Sequence, residues 1–392
     1  MDTKLNRTWA EINLDALAFN MRSIRKTTKN SAMITAVVKA DAYGHGVCEV
    51  ARVLLRNGAD RLAVACVAEA KQLRRAGFDV PILILGATEL FEAEELVEND
   101  VIAACFSYES ARAISDAAKK FNKIAKIHIK LDTGMSRIGF VVGENEDYAI
   151  DEIKKISQLE NLDIEGIFSH FSTSDEADSS YTMRQLDIFL KFCTRLESEG
   201  ISIPIRHIAN SAAIISYPET HLDMVRAGIV LYGLYPSNDV DKSRMPLIPV
   251  MSLKSHITMV KEKQAGWGVS YGNEYITGGV TKIATVPVGY ADGYTRNIAK
   301  KGKILLKDGT EAKIIGRICM DQCMIDVTNV NNINAGDEVT LFAAEKITAD
   351  DIAKWSDTIN YEVLCLVSKR IPRVYIEGEK TISARNYIDE LL

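Results

Sequence analysis

No stretch of this 392-residue chain is long and apolar enough to cross a bilayer, and MDTKLNRTWAEINLD at its start lacks the apolar centre of a secretory leader. The expectation is a cytoplasmic protein with no membrane partner. Nor is there a basic block: 47 Lys and Arg are interleaved with 53 Asp and Glu, giving a net charge of -6. That disfavours the basic face that nucleic acid or anionic lipid requires. The seven cysteines are scattered, mostly within apolar runs such as VACV and VLCLV, without the spacing of a disulfide framework. They read as reduced core residues. The one close pair, Cys319 and Cys323, has no second pair or neighbouring histidines for zinc, so no metal site is expected. Low-complexity linkers are absent, as is any repeat beyond a strand-helix unit.

What the chain does have is a regular alternation. With 47% hydrophobic residues it can bury a sizeable core and is long enough for two domains. Helical spacing in LDALAFNMRSIRKTT gives way to the apolar run AMITAVVK, then to the helix pattern VCEVARVLLRNG, with Gly58 placed to close it. The pairing repeats. LAVACV, PILILG, VIAACF, IAKIHIKL, IEGIFSHF, IPIRHIA and DMVRAG bring the count to eight buried strands, with segments such as AEAKQLRRAG and YESARAISDAAKKF between them. Such alternation implies parallel pairing through right-handed crossovers, and eight strands imply a closed α/β barrel of the TIM type over residues 11–240. Beyond it the texture turns to period two, in SLKSHITMV, VTKIATVPVG, KILLKDGTEAKIIG, MIDVTNV and DEVTLFA, with an Asp308-Gly309 hairpin signal. A mostly β domain over 241–392, joined by residues 1–10, is expected, interrupted only by the helical spacing of ITADDIAKWSD.

Active sites of such barrels sit at the C-terminal ends of the strands. The residues there are too polar for packing alone. Strand one ends in Lys39, followed by Tyr43; strand five contains Lys130 and leads to Arg137 in KLDTGMSRIGF; strand six ends in His170. Strand seven ends in His207, Asn210 and Ser211, and strand eight contains Arg226 followed by Gly228 and Ile229. A lysine at a strand end is commonly an exposed cap or an ion-pair partner. A desolvated lysine of depressed pKa is also what Schiff-base chemistry requires, since only the neutral amine attacks a carbonyl. Asn210-Ser211-Ala212 and Ala227-Gly228-Ile229 offer backbone NH groups, a hydroxyl and a glycine where this architecture commonly holds a phosphate. A Schiff-base lysine beside a phosphate cradle implies pyridoxal 5'-phosphate.

The blocks AVVKADAYGHG, GMSRIGF, HIANSAA, VRAGIVLYG, GVSYG, VGYADGY, RICMDQ and INYEVL, in this order over nearly the whole chain, resemble those of the alanine racemases. The resemblance implies an N-terminal pyridoxal-phosphate barrel, a C-terminal β domain and a homodimer with shared active sites. It also implies D-alanine made for peptidoglycan by a two-base mechanism. In it Lys39 holds the cofactor and works one face of the alanine Cα, while Tyr271 of GWGVSYGNEY works the other from the neighbouring subunit. Arg226 matches the arginine that donates to the pyridine nitrogen, with His170 donating to it or packing beside it. Tyr43, Ser211, Gly228, Ile229 and Tyr361 match the phosphate ligands, with Asn210 beside them. Arg137 matches the residue at the phenolic oxygen and the substrate carboxylate, and Met320 a backbone contact to that carboxylate, shaped by Asp321. Lys130 corresponds to a lysine carbamylated in some members; an ordinary buried ion pair is the other reading. Tyr290, Arg296, Arg317 and Ile359 resemble the corridor that admits small amino acids.

Three alternatives stand beside this. A serine or broad-specificity racemase of the same fold is the nearest, although Tyr361 fits the alanine enzymes. A decarboxylase of the same plan would need a cysteine-containing signature where GVSYG stands, and a non-catalytic pyridoxal-phosphate carrier would not need the β domain.

Overall fold

The computed structural model describes residues 7–389. The chain forms two compact units: Ala18–Ala42 with Val47–Leu247, and Met1–Leu17 with Tyr43–Gly46 and Ile248–Leu392, the latter within the described residues.

In the first unit, eight strands pair in parallel. They are Met33–Val37, Arg61–Val64, Ile82–Ile84, Ala103–Cys105, Ala125–Asp132, Leu162–Phe168, Ile205–His207 and Met224–Ala227, called barrel strands one to eight below. Strand eight pairs with strand one and one with two, two with three, four with five, five with six and six with seven. A parallel bridge between Leu83 and Ile102 joins three to four. The seam between seven and eight is closed by Asp223 N donating to Arg206 O and Arg226 N to Ala209 O, at 3.1 and 3.0 Å. The barrel is therefore complete, as the eight apolar runs imply. Its strands are short and buried on both faces; Ile34, Leu62, Val64, Ile82, Ile84 and Ile129 are all inaccessible to solvent. Amphipathic helices connect them. Tyr108–Lys120 shows why: the Ser107 side chain caps its start by accepting from Ser110 N, and Ala111, Ile114 and Ala118 face inward.

The second unit is built on a seven-stranded sheet. Its order is Glu311–Lys313, Lys303–Leu306, Glu338–Phe342, Met251–His256, Thr8–Asn13, Arg373–Glu377 and Lys380–Arg385. Arg373 is fully buried in it, and its guanidinium is satisfied by the carbonyls of Gly44, Val367, Ser368 and Ile371. A three-stranded sheet of Met259–Lys263, Thr281–Val286 and Cys323–Asp326 lies over a cluster of Val269, Ile283, Ile315 and Met324.

Three expectations are corrected here. SLKSHITMV is not one strand: after His256 the chain leaves the large sheet, Thr258 N bonds to Thr285 O, and Met259–Lys263 joins the small one. ITADDIAKWSD is not the only helix of this unit, because Asn360–Leu366 forms a second one after the left-handed turn at Asp357. The cysteines form no disulfide among the described residues, but only Cys105, Cys193 and Cys323 are core residues; Cys66 and Cys365 are exposed.

Candidate active site

Lys39 lies just past barrel strand one, after Val38, where the backbone does something rare for side-chain-bearing residues. Ala40, Asp41, Ala42 and Tyr43 all have φ between 52° and 55°, a full left-handed turn. Left-handed helix costs about 1–2 kcal/mol per non-glycine residue, so such a turn persists only where its surroundings hold it. Glu69 does so. Its Oε1 accepts from Ala40 N at 2.7 Å and its Oε2 from Ala65 N at 2.8 Å, tying the ends of strands one and two together. Asp41 Oδ1 accepts from Val47 N at 2.8 Å and fixes the exit of the turn.

Arg226, on barrel strand eight, is 3% exposed and caged by neutral acceptors. Nη1 donates to His207 Nδ1 at 2.8 Å, and Nη2 to His170 Nδ1, Ser169 O and Ile208 O at 2.9, 2.8 and 3.1 Å. Arginine has only donors, so His170 accepts from Arg226 and does not donate to it, which corrects one of the expected arrangements. Burial, with Arg137 nearby, lowers Arg226 to about 9, leaving it charged at neutral pH. Burial and the fields of Arg226 and Arg137 hold His170 neutral, well below the usual histidine range. The Arg226 Nε–H and the His170 Nε2 have no partner among the described residues.

Asn210 accepts from Ala213 N and Ser174 Oγ, and so starts the short helix Ser211–Ser216. Ser211 Oγ accepts from Gly228 N at 2.9 Å, bringing the loops after strands seven and eight together, with buried Ile229 next in the chain. Arg137 is exposed on a loop that Asp132 organises by accepting from the backbone NH groups of Gly134, Met135 and Ser136. Lys130 is buried, donates to Leu131 O and lies 5.5 Å from the Phe168 ring centroid. It makes no ion pair among the described residues. Burial and Arg226 lower its amine to about 7, Asp132 opposing and Arg137 adding to the shift.

In the β-rich unit, Tyr271 and Met320 lie with Ser270, Cys319, Asp321 and Gln322 around one open depression, and both are exposed. Ser270 holds φ 65°, and its Oγ donates to Arg317 O at 2.6 Å; Arg317 also pairs with Glu274 on the Tyr271 loop. The Tyr290 loop pairs with the Met320 loop through Tyr290 N to Cys319 O and Ala291 N to Met320 O. Gly289 is needed there, since a Cβ would stand 2.3 Å from the carbonyl oxygens of Cys319 and Met320. Arg370 clamps the same two loops, with Nε on Asp292 at 2.7 Å and Nη2 on Asp321 at 2.6 Å. Tyr43 and Tyr361 lie with ring centroids 6.3 Å apart, while Arg296 and Ile359 are exposed in this unit.

The residues missed by sequence reading are His128, Glu165 and Gly166 in the barrel strands, and Arg370 and Asp292 in the β-rich unit. Ionisable residues inside the apolar runs KIHIKL and DIEGIF were the available signal, because a charge within a buried strand demands a partner.

The donor set at the mouth fits a flat, phosphorylated heteroaromatic group. A caged guanidinium with a spare NH suits an unprotonated ring nitrogen, and a hydroxyl with adjacent backbone NH groups suits a phosphate.

Residues 12–236 match the alanine racemase N-terminal domain and residues 250–375 the alanine racemase C-terminal domain. An alanine racemase of Clostridium tetani is 51% identical over 388 residues, 98% of this chain and 99% of the relative. Alanine racemase 1 of Clostridium acetobutylicum is 50% identical over 383 residues, 97% of this chain and 98% of the relative. The structure of the Clostridium difficile 630 alanine racemase superposes with a TM-score of 0.94 at 46% identity, covering 97% of this chain and 99% of that one. That of a Bacillus anthracis alanine racemase with bound L-Ala-P superposes at 0.91 with 36% identity, covering 98% of each chain. A parallel barrel with this mouth and this β-rich companion defines an amino-acid racemase of two-domain type. The chain belongs to the alanine racemase family, over both domains and nearly its full length.

Proposed function

We propose that this racemase interconverts L- and D-alanine with pyridoxal 5'-phosphate, by a two-base mechanism in a homodimer whose sites each use two subunits. The observation that carries the reading is Arg226: a charged side chain buried among neutral acceptors, with its Nε–H left for a further one. When bound, the cofactor supplies an aldehyde for the amine and a ring that draws off the electron pair of the broken Cα–H bond. Lys39 Nζ would hold that aldehyde and afterwards take or return the proton on one face of the alanine Cα. The partner subunit's Tyr271 would act on the opposite face, because one group cannot reach both sides of a planar carbon.

Arg226 would hold the pyridine nitrogen without giving up its proton, which keeps that ring a weak electron sink and protects against misplaced protonation. Ser211, Gly228 and Ile229 would hold the phosphate beside Asn210, and the resemblance adds Tyr43 and Tyr361. Arg137 and the backbone of Met320 would receive the substrate carboxylate. Tyr290, Arg296, Arg317 and Ile359 would line its approach. Lys130 keeps a large neutral fraction, the form that adds carbon dioxide with loss of a proton, and a carbamate there would put an anion near Arg137. A signal from 13C-bicarbonate that disappears in Lys130→Ala tests this.

The β-rich unit leaves Trp267, Tyr271, Met320 and Ile359 more than half exposed, at 54, 70, 53 and 62%, which supports a second copy covering them. Cysteines outside any disulfide, of which burial pushes Cys105 up to about 12, suit the reducing cytoplasm, where D-alanine would enter peptidoglycan synthesis. Mixing Lys39→Ala with Tyr271→Phe subunits tests the shared site. Activity recovered in hybrid dimers supports it, and hybrids that form without recovery contradict it.

A further inference from the structure

A chain of buried polar side chains runs through the barrel from the N-terminal side of strand six to the mouth. Glu165 Oε2 lies 3.1 Å from His128 Nε2, His128 Nδ1 lies 2.8 Å from His207 Nε2, and His207 Nδ1 lies 2.8 Å from Arg226 Nη1. Both histidines are wholly inaccessible to solvent, and the Glu165 side chain is 9% exposed. Phe168 stacks on His207, with centroids 4.8 Å apart and planes 4° from parallel, and lies under the Arg226 guanidinium at 5.4 Å.

The direction of every bond in this chain follows from its ends. Arg226 can only donate, so His207 Nδ1 accepts and its proton is on Nε2. His207 therefore donates to His128 Nδ1, and His128 carries its proton on Nε2 and donates to Glu165. Burial keeps both imidazoles neutral. At the far end, burial pushes the Glu165 carboxyl upward, but hydrogen bonds from His128, Arg61 and Lys126 outweigh it and hold the group ionised. Two oxygens thus receive three donors, with Lys126 on Oε1 and Arg61 and His128 on Oε2. One misplaced proton anywhere would set two donors or two acceptors face to face in a dry interior.

We infer that Glu165 is a positioning residue for Arg226, acting through His128 and His207 to hold the guanidinium as a fixed donor at the barrel mouth. The inference rests on the reading that Arg226 meets the cofactor ring. Its consequence is control of the side reaction in which the amino group passes from alanine to the cofactor aldehyde, leaving pyruvate and the cofactor amine. That exchange balances without any other reactant, and it requires a proton to be delivered to the cofactor carbon instead of Cα. A guanidinium free to tilt away from the ring nitrogen would no longer suppress it.

The test uses the full chain and its Glu165→Gln variant. An amide oxygen has two lone pairs for the three donors, so His128 loses its fixed acceptor. Nitrogen-15 spectra of labelled histidine, recorded with and without cofactor, report where each ring proton lies. Wild type should show His128 and His207 each as a single neutral form protonated on Nε2, and the variant should show mixed forms. Pyruvate formed per racemisation turnover should rise about tenfold, while KM for alanine stays within about twofold. A carboxylate that merely supports the barrel would lower stability and leave that partition unmoved. If Glu165→Gln does not fold, Glu165→Asp is read by the same two signals, with a smaller rise expected. Unchanged partition in a folded variant, or a raised partition with unaltered histidine spectra, overturns the inference. Arg226→Lys separates it from the reading beneath: a raised partition there with none at position 165 sinks only the relay, whereas no change at Arg226 sinks the cofactor assignment itself.

Discussion

Gly166 lies so close against the His128 imidazole that a Cβ built on it would stand 2.6 Å from both Cε1 and Nδ1 of the ring. The histidine that links Glu165 to the barrel mouth thus has its place because the neighbouring strand carries no side chain there. Gly166→Ala should force the ring or strand six to shift, costing about 1–3 kcal/mol as overpacking. Chemical denaturation of the two proteins measures it. An alanine variant as stable as wild type would show that the ring is not confined.

Glu69 Oε1 accepts from Ala40 N at 2.7 Å, at the start of the left-handed turn that follows Lys39. Glu69→Ala should release that turn and remove the acceptor of two backbone NH groups, each bond contributing about 0.5–1.5 kcal/mol. Cofactor affinity, followed by absorbance during titration, should fall at least about tenfold. Unchanged affinity would mean that the turn holds itself.

Lys130 makes a pH prediction. Its folded pKa of about 7 lies below the 10.5 of an unperturbed lysine, so the unfolded chain binds the extra proton between those values. Stability therefore rises with pH across that window, and the penalty for charging the amine is fully present below about pH 7. In buffer free of carbon dioxide, Lys130→Met should stabilise most at about pH 6 and progressively less toward about pH 10. A benefit independent of pH would show that the amine is not depressed.

The barrel was readable because each of its strands is a continuous apolar run and their alternation with helices admits few topologies. Lys39, Ser211 and Arg226 were readable because they stand where such strands end. What was not readable has a common cause. The left-handed turn after Lys39 depends on Glu69, about thirty residues away, and the break after His256 depends on pairing with Thr281–Val286. Likewise His128 and Glu165 look like isolated blemishes in two apolar runs until the barrel brings them within 3.1 Å. Local patterns carry elements, whereas networks between distant strands need the fold.

Tyr271 gives a directional prediction. Tyr271→Phe removes the hydroxyl proposed for one face of Cα, so rates should fall by about 10²–10⁴. Primary deuterium isotope effects on the two directions should become unequal. Equal loss with isotope effects as in wild type would argue for a single base.

Reduction with borohydride is the most direct test of the central claim, that the Lys39 amine at the end of strand one holds the cofactor covalently. The cofactor-loaded protein should lose its yellow colour, and peptide mapping should find the added mass on Lys39 within AVVKADAYGHG. Label on any other lysine, or none on a protein that remains coloured, would contradict the account.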